Sequence, residues 1–498
     1  MMKQNNKDLI PLVGYDTRGV VYDAGEYILR KIFSNDFREA ENIYKLYEQF
    51  NLKNYGIVKT KIDKSSKAFK HKKHIISYPY EWSANMFKDA ALFYLGLLLK
   101  LDKHGLTLKD ALPNNIVFDF CKPVFIDFLS LINKEKLKNE EWLTDLSNCS
   151  DARFDVFNKM FTPFILIPFM AMVKRDYVLA RLLLSEKACS RGVSPSWNDL
   201  YPKFIFSQIF FLKTHIINYI SYFLTRKNKR FSNQTLNLLR LLKSKHKDKF
   251  IEFNKRVLDF VYGSNVTPLS NGYASYYENK NEAFNVNSQL EWHAKQKNVY
   301  KVIKNIRPKR VLDIGANTGW FSILAEKLGA EVIATDIDES LIDTLYLYSK
   351  ENKRKILPLL LSFNNLSKQF YCSNHDDPIY KDRNLKTDFL FLPATKRLKS
   401  DVVLLLALLH HLIIGQHKGL KEIFNILSIL TKKVLIVEYV GLKDKVMDPK
   451  SSFFKNLPNY NAKNYNIDLV IEEGKKHFNK VEILNSNPST RKLLVFKK

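Results

Sequence analysis

The feature that most constrains the fold is a short string at residues 311–322, which reads Val-Leu-Asp-Ile-Gly-Ala-Asn-Thr-Gly-Trp-Phe-Ser. It has the composition of a buried strand that passes through a glycine turn into the start of a helix. A second apolar run follows at residues 331–336 and ends in Asp336. Strand, glycine turn, helix, strand and terminal carboxylate is the order in which a Rossmann-like α/β sheet holds the ribose of an adenosine-containing cofactor. We therefore expect such a sheet, with Asp336 on the ribose.

The spacing of the glycines separates two classes of cofactor. Dinucleotide-binding sheets use G-x-G-x-x-G, whereas this chain has D-x-G-x-x-x-G from Asp313 to Gly319. An acid at position 313 would repel a pyrophosphate but would attract the ammonium and sulfonium groups of S-adenosyl-L-methionine (SAM). Gly315 and Gly319 let the backbone approach a ligand where a Cβ would collide with it. The pattern predicts a class I methyltransferase, although a glycine turn in an unrelated α/β domain would look similar.

The chain has 498 residues, which is more than one hydrophobic core usually supports. Residues 1–150 mix short strands and helices and predict an α+β domain, with a hairpin at 19–33 and a helix at 36–50. Residues 151–269 are mostly helical and are expected to pack on that domain. Residues 270–498 alternate strands with helices, which predicts the α/β methyltransferase domain.

The strands of this last region are apolar without alternation, as in a sheet that is covered on both faces. The first five are expected to be parallel, and two more are expected to add an antiparallel pair. They lie at residues 310–314, 332–336, 355–361, 402–406, 433–439, 481–484 and 493–496.

The formal net charge of +28 is compatible with nucleic acid, anionic lipid or an acidic glycan as partner. No compact RNA-binding motif accompanies the charge, and no Asn/Asp-Pro-Pro-Tyr motif follows the fourth strand, so nucleic acid is not expected. The four cysteines lie far apart, which excludes a disulfide scaffold and a cysteine zinc site and fits a reducing compartment. The cysteine pattern and the polar N-terminus together predict a cytoplasmic protein. The apolar run at 204–224 is interrupted by Lys213, so it predicts no membrane span and leaves only peripheral contact open.

The candidate catalytic residues follow the fourth strand. Carboxyl ends of parallel strands meet at one edge of the sheet, where ligands bind. His410 and His411 would lie there, and imidazole titrates near neutrality, so either could take the proton of a hydroxyl acceptor. The competing interpretation is that a histidine after a strand only caps a helix or binds a backbone carbonyl. His417 is too far along the chain to complete a metal site, and none is expected.

Strings from both halves of the chain are shared with one bacterial family. They are residues 313–319 and 405–412 in the last region, and residues 77–83, 88–92 and 104–130 in the first. In these strings the chain resembles the bacterial SAM-dependent methyltransferases related to nodulation-associated proteins. The resemblance implies a methyl-transfer reaction with S-adenosyl-L-methionine as cofactor. It also implies the cofactor-binding residues, which are Asp313, Gly315, Asn317, Gly319, Asp336, Ser362, Asn364 and Leu408.

Two positions depart from the family pattern. Ser362 stands where the family usually has an acid that binds the adenine amine, and Trp320 replaces a polar or acidic residue. Asn364 is the nearest substitute for the missing acid. These departures motivate one alternative function, a catalytically inactive SAM-binding protein.

The N-terminal domain supplies a second alternative. Asp110, Asn115 and Asp127 have the spacing of a kinase-like catalytic loop and its metal-binding acid. Lys31 on the hairpin would pair with a glutamate of the next helix, as in kinases. Leu108 occupies the usual histidine position and the glycine-rich phosphate loop is missing, so an accessory domain that selects the acceptor is favoured.

The leading prediction is a SAM-dependent methyltransferase that modifies a hydroxyl group of a glycan or small molecule. The kinase-like loop leaves open a bifunctional kinase-methyltransferase acting on a surface glycan.

Overall fold

The computed structural model describes residues 10–12, 18–140, 151–184, 249–268, 286, 291–368, 370–371, 389–448 and 465–498. The helices among them are α1 (Phe37–Gln49), α2 (Ala84–Asp102), α3 (Arg153–Val173), α4 (Tyr177–Leu183), α5 (Phe250–Gly263), α6 (Ala294–Ile306), α7 (Trp320–Lys327), α8 (Glu339–Glu351), α9 (Ala394–Arg397), α10 (Leu420–Leu430) and α11 (Ile467–Lys475).

The strands of the first half are β1 (Ile10–Leu12), β2 (Gly19–Asp23), β3 (Tyr27–Ile32), β4 (Thr60–Asp63), β5 (Ala68–Lys72), β6 (Leu106–Leu108), β7 (Ile116–Asp119), β8 (Lys122–Phe125) and β9 (Leu131–Asn133). Those of the second half are β10 (Arg310–Ile314), β11 (Glu331–Asp336), β12 (Ile356–Leu360), β13 (Phe370–Tyr371), β14 (Phe389–Phe391), β15 (Ser400–Leu405), β16 (Thr431–Val440), β17 (Lys480–Asn485) and β18 (Arg491–Lys497).

The N-terminal sheet is antiparallel, with the strand order β1-β2-β3-β5-β4. The hairpin predicted at residues 19–33 is confirmed by the pairing of β2 with β3. Gly25 supplies the positive φ of the turn, and its amide donates to the carboxylate of Asp23. The predicted helix after the hairpin is confirmed as α1, and it covers one face of the sheet, where Tyr44 packs on Phe69.

Helix α2 is the central helix of this half. Its N-cap, Ser83, accepts a hydrogen bond from the amide of Met86. Two short antiparallel strand pairs follow α2, β6 with β9 and β7 with β8. The loop between β6 and β7 contains Asp110, the first residue of the kinase-like pattern. Helix α5 packs along α2, and the buried side chain of Asn254 donates to the carbonyl of Leu95 at 2.9 Å.

Among the described residues, α3 is the one helix long and apolar enough to cross a membrane by length and composition. Three quarters of its apolar stretch (75%) is buried inside the protein. We interpret it as a core helix, because apolar side chains that are already packed against protein have no need of lipid. The apolar run at 204–224 lies outside the described residues.

The second sheet contains seven strands in the order β12-β11-β10-β15-β16-β18-β17. Five of them are parallel, and β18 pairs antiparallel with both β16 and β17. All seven strands predicted from the sequence are confirmed, with ends that differ by at most two residues. The order of strands reverses between β10 and β15, which makes their carboxyl ends the switch point where ligands of such sheets bind. The α/β class is therefore confirmed for this part of the chain.

Helices cover both faces of this sheet, which explains why β15 is buried along its whole length. Helices α6 and α7 cover one face through a buried cluster that includes Val299 and Ile323. Helices α10 and α11 lie on the other face, where Phe424 meets Phe496 edge to face. Helix α8 lies along the β12 edge. The buried cluster of the second face continues without a break into α2 of the N-terminal half, so both halves share one core.

Candidate functional site

The glycine turn after β10 has a left-handed backbone conformation that residues with a Cβ rarely adopt. Gly315, Asn317 and Gly319 have φ values of +75°, +53° and +88°. The amides of residues 315 and 316 donate to the carbonyl of Thr335 at 2.8 and 3.0 Å, which ties the turn to β11. A Cβ added to Gly315 would lie 3.1 Å from the side chain of Leu408. The structure thus brings together the predicted glycines and Leu408 at the carboxyl ends of β10 and β15.

Asp336, at the end of β11, is the acid predicted to bind ribose. One carboxylate oxygen accepts from the amide of Asn317 at 2.8 Å, and the other accepts from the amide of Asp338 at 3.0 Å. Burial raises the pKa of Asp336. Its carboxylate therefore lies directly beside the glycine turn, and it holds that turn in place before any ligand is bound.

Asp313 is the second acid of this edge, and it is almost fully buried. Ser322 donates to its carboxylate at 2.7 Å. Burial raises the pKa of Asp313 to about 6, an effect that Ser322 and Lys295 oppose and the charge of Asp336 increases. A buried carboxylate next to a partly buried one is stabilised by a cation. This donor set fits the ammonium and sulfonium groups of SAM and does not fit a pyrophosphate.

Ser362 and Asn364 follow β12, as predicted. The hydroxyl of Ser362 caps a short 3₁₀ turn by accepting from the amide of Asn364 at 3.3 Å, and the side chain of Asn364 is exposed. In this arrangement both residues serve the local turn. Contact with adenine stays a prediction for both.

His410 and His411 follow β15 at the edge of the site, with their ring centroids 4.2 Å apart. His410 is 2% exposed, whereas His411 is partly exposed. Burial, and then the charges of His411 and Arg491, lower the pKa of His410 to about 2; burial lowers the pKa of His411 to about 4. Both imidazoles are therefore neutral at pH 7, and the unprotonated nitrogen of each is able to accept a hydrogen bond.

A buried charge pair that the sequence does not indicate completes this edge. Lys295, in the first turn of α6, lies 2.7 Å from Glu438 of β16, which has no exposed surface. Ser486 donates to the other oxygen of Glu438. The positive charge of Lys295 acts on both Asp313 and His410, which places it at the same site. Glu438 lies near the end of the fifth predicted strand, whereas Lys295 belongs to no motif.

Trp320, one of the two departures from the family pattern, does not face the ligand. It is 3% exposed and packs against Trp292 and Phe321 at centroid distances of 5.6 and 4.8 Å. Trp292, which precedes the sheet, is likewise a core residue.

The structure pairs two glutamates of α1 with cations other than Lys31, since Glu39 lies 3.5 Å from Arg18 and Glu41 lies 2.7 Å from Lys64. Lys31 lies over the ring of Tyr22, whereas its neighbour Arg30 lies 3.0 Å from Asp127. Adjacent residues of a strand point to opposite faces, so only one of the two can reach the acid. Arg30 is therefore the cation that meets Asp127, and Lys31 points to the other face of β3.

The other kinase-like residues lie in the loop between β6 and β7. The Asp110 carboxylate accepts from the amide of Leu112, which shapes the loop. The carbonyl of Asn115 accepts from the amide of Ile126, next to Asp127. Within the part of the chain that is described, no group of three or more His, Cys, Asp or Glu residues could hold a metal ion.

Comparison with known proteins relates the chain to methyltransferases. No family model matches it. It is 26% identical over 380 residues to nodulation protein NoeA of Rhizobium meliloti (strain 1021), a match that covers 75% of this chain and 70% of NoeA. It is 47% identical over 66 residues to the protein-lysine methyltransferase METTL21E of Mus musculus, covering 13% of this chain and 24% of that protein. These relatives support the resemblance seen in the sequence, and they do not test its kinase-like part.

Solved structures with a partial likeness include the bifunctional kinase-methyltransferase WbdD, with 14% identity, a TM-score of 0.28 and a match over 41% of this chain and 40% of WbdD. They also include the PH0226 protein of Pyrococcus horikoshii OT3, with 16% identity, a TM-score of 0.29 and coverage of 45% of this chain and 98% of that one. All these TM-scores lie below 0.5, so the likenesses define neither the fold nor the function of this chain.

Proposed function

We propose that the protein is a SAM-dependent methyltransferase whose acceptor is a hydroxyl group of a glycan or small molecule. The observation that carries the proposal is the meeting of Asp313, Asp336 and two glycines of positive φ at the switch point of the seven-stranded sheet. The relation to NoeA and to a protein-lysine methyltransferase supports it.

Bound SAM would supply an electrophilic methyl group on its sulfonium. The residues of this chain would bind and orient it: Asp336 on the ribose hydroxyls, Gly315 and Gly319 as the close backbone surface, and the carboxylate of Asp313 as the counter-charge to the cationic end. Leu408, which already contacts the glycine turn, would exclude water from the methyl group. Positioning is the larger part of catalysis in such an in-line displacement.

His411 is our candidate for accepting the proton of the acceptor hydroxyl. It is the more exposed member of the pair, and its lowered pKa keeps it unprotonated through the physiological range. His410, buried beside it, would be a positioning residue that holds the His411 ring.

The first prediction separates these two histidines. We expect His411→Ala to lower methyl transfer at least about 100-fold, the usual contribution of a general base, while SAM binding stays intact. His410→Ala should mainly lower the melting temperature, because a buried side chain is lost. Transfer of labelled methyl from SAM to a panel of mono- and oligosaccharides measures the activity. Full activity of the His411 variant, or an equal loss in a stable His410 variant, would contradict the assignment. SAM binding without transfer to any acceptor would favour the inactive-protein alternative.

The second prediction concerns pH. The pKa of Asp313 is raised to about 6, so its carboxylate is charged above that pH and neutral below it. A cationic ligand prefers the charged form, so the Kd for SAM should rise about tenfold between pH 7.5 and pH 5. Asp313→Asn keeps an acceptor for Ser322 but carries no charge. It should bind SAM weakly at pH 7.5 and lose the pH dependence, as measured by calorimetry. A pH dependence that is unchanged in this variant would show that another group is responsible.

Phosphotransfer by the N-terminal domain is a second candidate function. The antiparallel sheet with a helix between its third and fourth strands, followed by the Asp110 loop, favours it. The ion pair between Arg30 and Asp127 opposes it, because a guanidinium already neutralises the carboxylate that would bind magnesium. We therefore propose an accessory domain that helps to select the acceptor. Metal-dependent binding of ATP in a titration would reverse this choice.

We also propose that nucleic acid is not the partner and that the protein acts in the cytoplasm. Support for the first point comes from one strongly basic described segment, residues 59–74. Four of its lysines form ion pairs with nearby carboxylates, and they are Lys64, Lys70, Lys72 and Lys73. Lysines that are already paired with neighbouring carboxylates offer less charge to a phosphate backbone.

A further inference from the structure

Helix α8 begins just after Asp336 and carries a stripe of polar residues, Glu339, Asp343, Tyr346 and Lys350. Their spacing of four, three and four places them on one face of the helix. Each contacts the N-terminal half of the chain. Such a continuous polar face between two domains is unusual for a helix that also borders a hydrophobic core.

The contacts along the stripe are close. Arg181 of α4 lies 2.5 Å from Glu339. Asn85, in the first turn of α2, donates to Asp343 twice, from its backbone amide at 2.9 Å and from its side chain at 2.6 Å.

The second half of the stripe meets one residue of α2. Asp89 accepts from both the Tyr346 hydroxyl and the Lys350 ammonium at 2.5 Å. Both segments of the family resemblance in this region, 77–83 and 88–92, contact the C-terminal half of the chain, the first through Glu81 with Arg397 and the second through Asp89 with Lys350.

The other side of α8 touches the cofactor site. Gly319 leaves so little room that an added Cβ would lie 2.5 Å from Leu345 of α8. At the start of the helix, the carboxylate of Asp338 caps α8 through the amide of Ser340, while the amide of Asp338 donates to Asp336. A shift of α8 would therefore move both the glycine turn and the ribose-binding acid.

We propose that α2 sets the position of α8, so that Asn85 is a positioning residue for the SAM site in the other domain. The inference rests on the proposed function, and it adds that the N-terminal half helps to hold the cofactor site in position. Asp343 is only 4% exposed, so the Asn85 side chain supplies one of the few hydrogen bonds that replace water around its carboxylate, together with the Asn85 amide and the Ser83 hydroxyl. Without the Asn85 side chain, the helix would move to hydrate the carboxylate.

The test compares two single variants of the full chain. Asn85→Ala removes one interdomain hydrogen bond to α8 but keeps the backbone amide that also donates to Asp343. The matched control, Tyr78→Phe, removes one interdomain hydrogen bond that does not involve α8, from the amide of Leu392 to the Tyr78 hydroxyl. Asn85→Ser, which keeps a donor, serves as the conservative rescue.

We expect Asn85→Ala to bind SAM about tenfold more weakly by calorimetry, the usual effect of losing a hydrogen bond to a charged group. In the ligand-free protein it should also speed amide hydrogen exchange in peptides covering 313–319 and 336–341. Tyr78→Phe should change neither, and Asn85→Ser should restore both in part. Equal behaviour of Asn85→Ala and Tyr78→Phe, or unchanged exchange in both peptides, would overturn the inference. If the wild-type protein binds no SAM, the proposed function fails, while the exchange comparison still decides the role of Asn85.

Discussion

Asp336→Ala is expected to weaken SAM binding on the order of 100-fold. A hydrogen bond to a charged group is worth about 1.5–3 kcal/mol, and each 1.4 kcal/mol is a factor of ten in Kd. Asp336 would contribute such bonds to the ribose, and it also accepts from the Asn317 amide at 2.8 Å. The variant therefore loses the ligand contact and the lock on the glycine turn together. Calorimetric titration of the full chain with SAM measures the effect.

Asp401→Ala is the matched control for this variant. Asp401 is a carboxylate of the same sheet that accepts from a backbone amide, that of Lys309 at 2.7 Å, but it lies near the amino end of β15. We expect a loss of stability like that of the Asp336 variant, with little change in SAM binding. If both variants lost SAM binding equally, the loss would result from destabilisation of the fold, and Asp336 would have no specific role in SAM binding.

Gly319→Ala is expected to destabilise the fold by roughly 2–5 kcal/mol and to abolish SAM binding. The left-handed backbone at φ +88° costs a residue with a Cβ about 1–2 kcal/mol. The new Cβ would also lie 2.5 Å from Leu345, which is fully buried and cannot move aside without disturbing α8. Overpacking of this kind costs a further 1–3 kcal/mol or so. Urea denaturation gives the change in the free energy of unfolding.

Gly329→Ala separates the two costs. Gly329 has φ +94° and no atom within 4 Å of an added Cβ, so only the backbone cost applies. We expect a loss of about 1–2 kcal/mol with SAM binding preserved. An Ala at 319 that is no worse than an Ala at 329 would mean that the turn and α8 are not tightly packed.

The five parallel strands of the seven-stranded sheet could be predicted because each is a short and mainly apolar run. β10 begins and ends where the sequence predicts, and the glycine turn follows from the residues themselves. The hairpin was predictable for a similar local reason, since Gly25 fixes its turn.

The errors and omissions have physical causes that are not local. Lys31 and Arg30 are both cations on one strand, and only the register and twist of the sheet decide which reaches Asp127. Lys295 meets Glu438 across 143 residues of sequence, so no motif records the pair. The neutral state of the histidine pair depends on burial, which spacing alone does not reveal.

The contacts of α8 with α2 could not be predicted from the sequence either. Asn85 and Asp343 are 258 residues apart, and neither has a pattern of its own. The sequence shows that the segments on either side of residue 85 resemble the family, but it does not show that they lie at the interface between the two halves of the chain.

The most direct test of the account is a calorimetric titration of the wild-type full chain with SAM, repeated on Asp336→Ala. The account predicts saturable one-to-one binding to the wild type and a loss of that binding in the variant. Absence of binding to a folded wild-type protein, or equal binding by both proteins, would contradict the central claim that Asp313, Asp336 and the glycine turn form a SAM site.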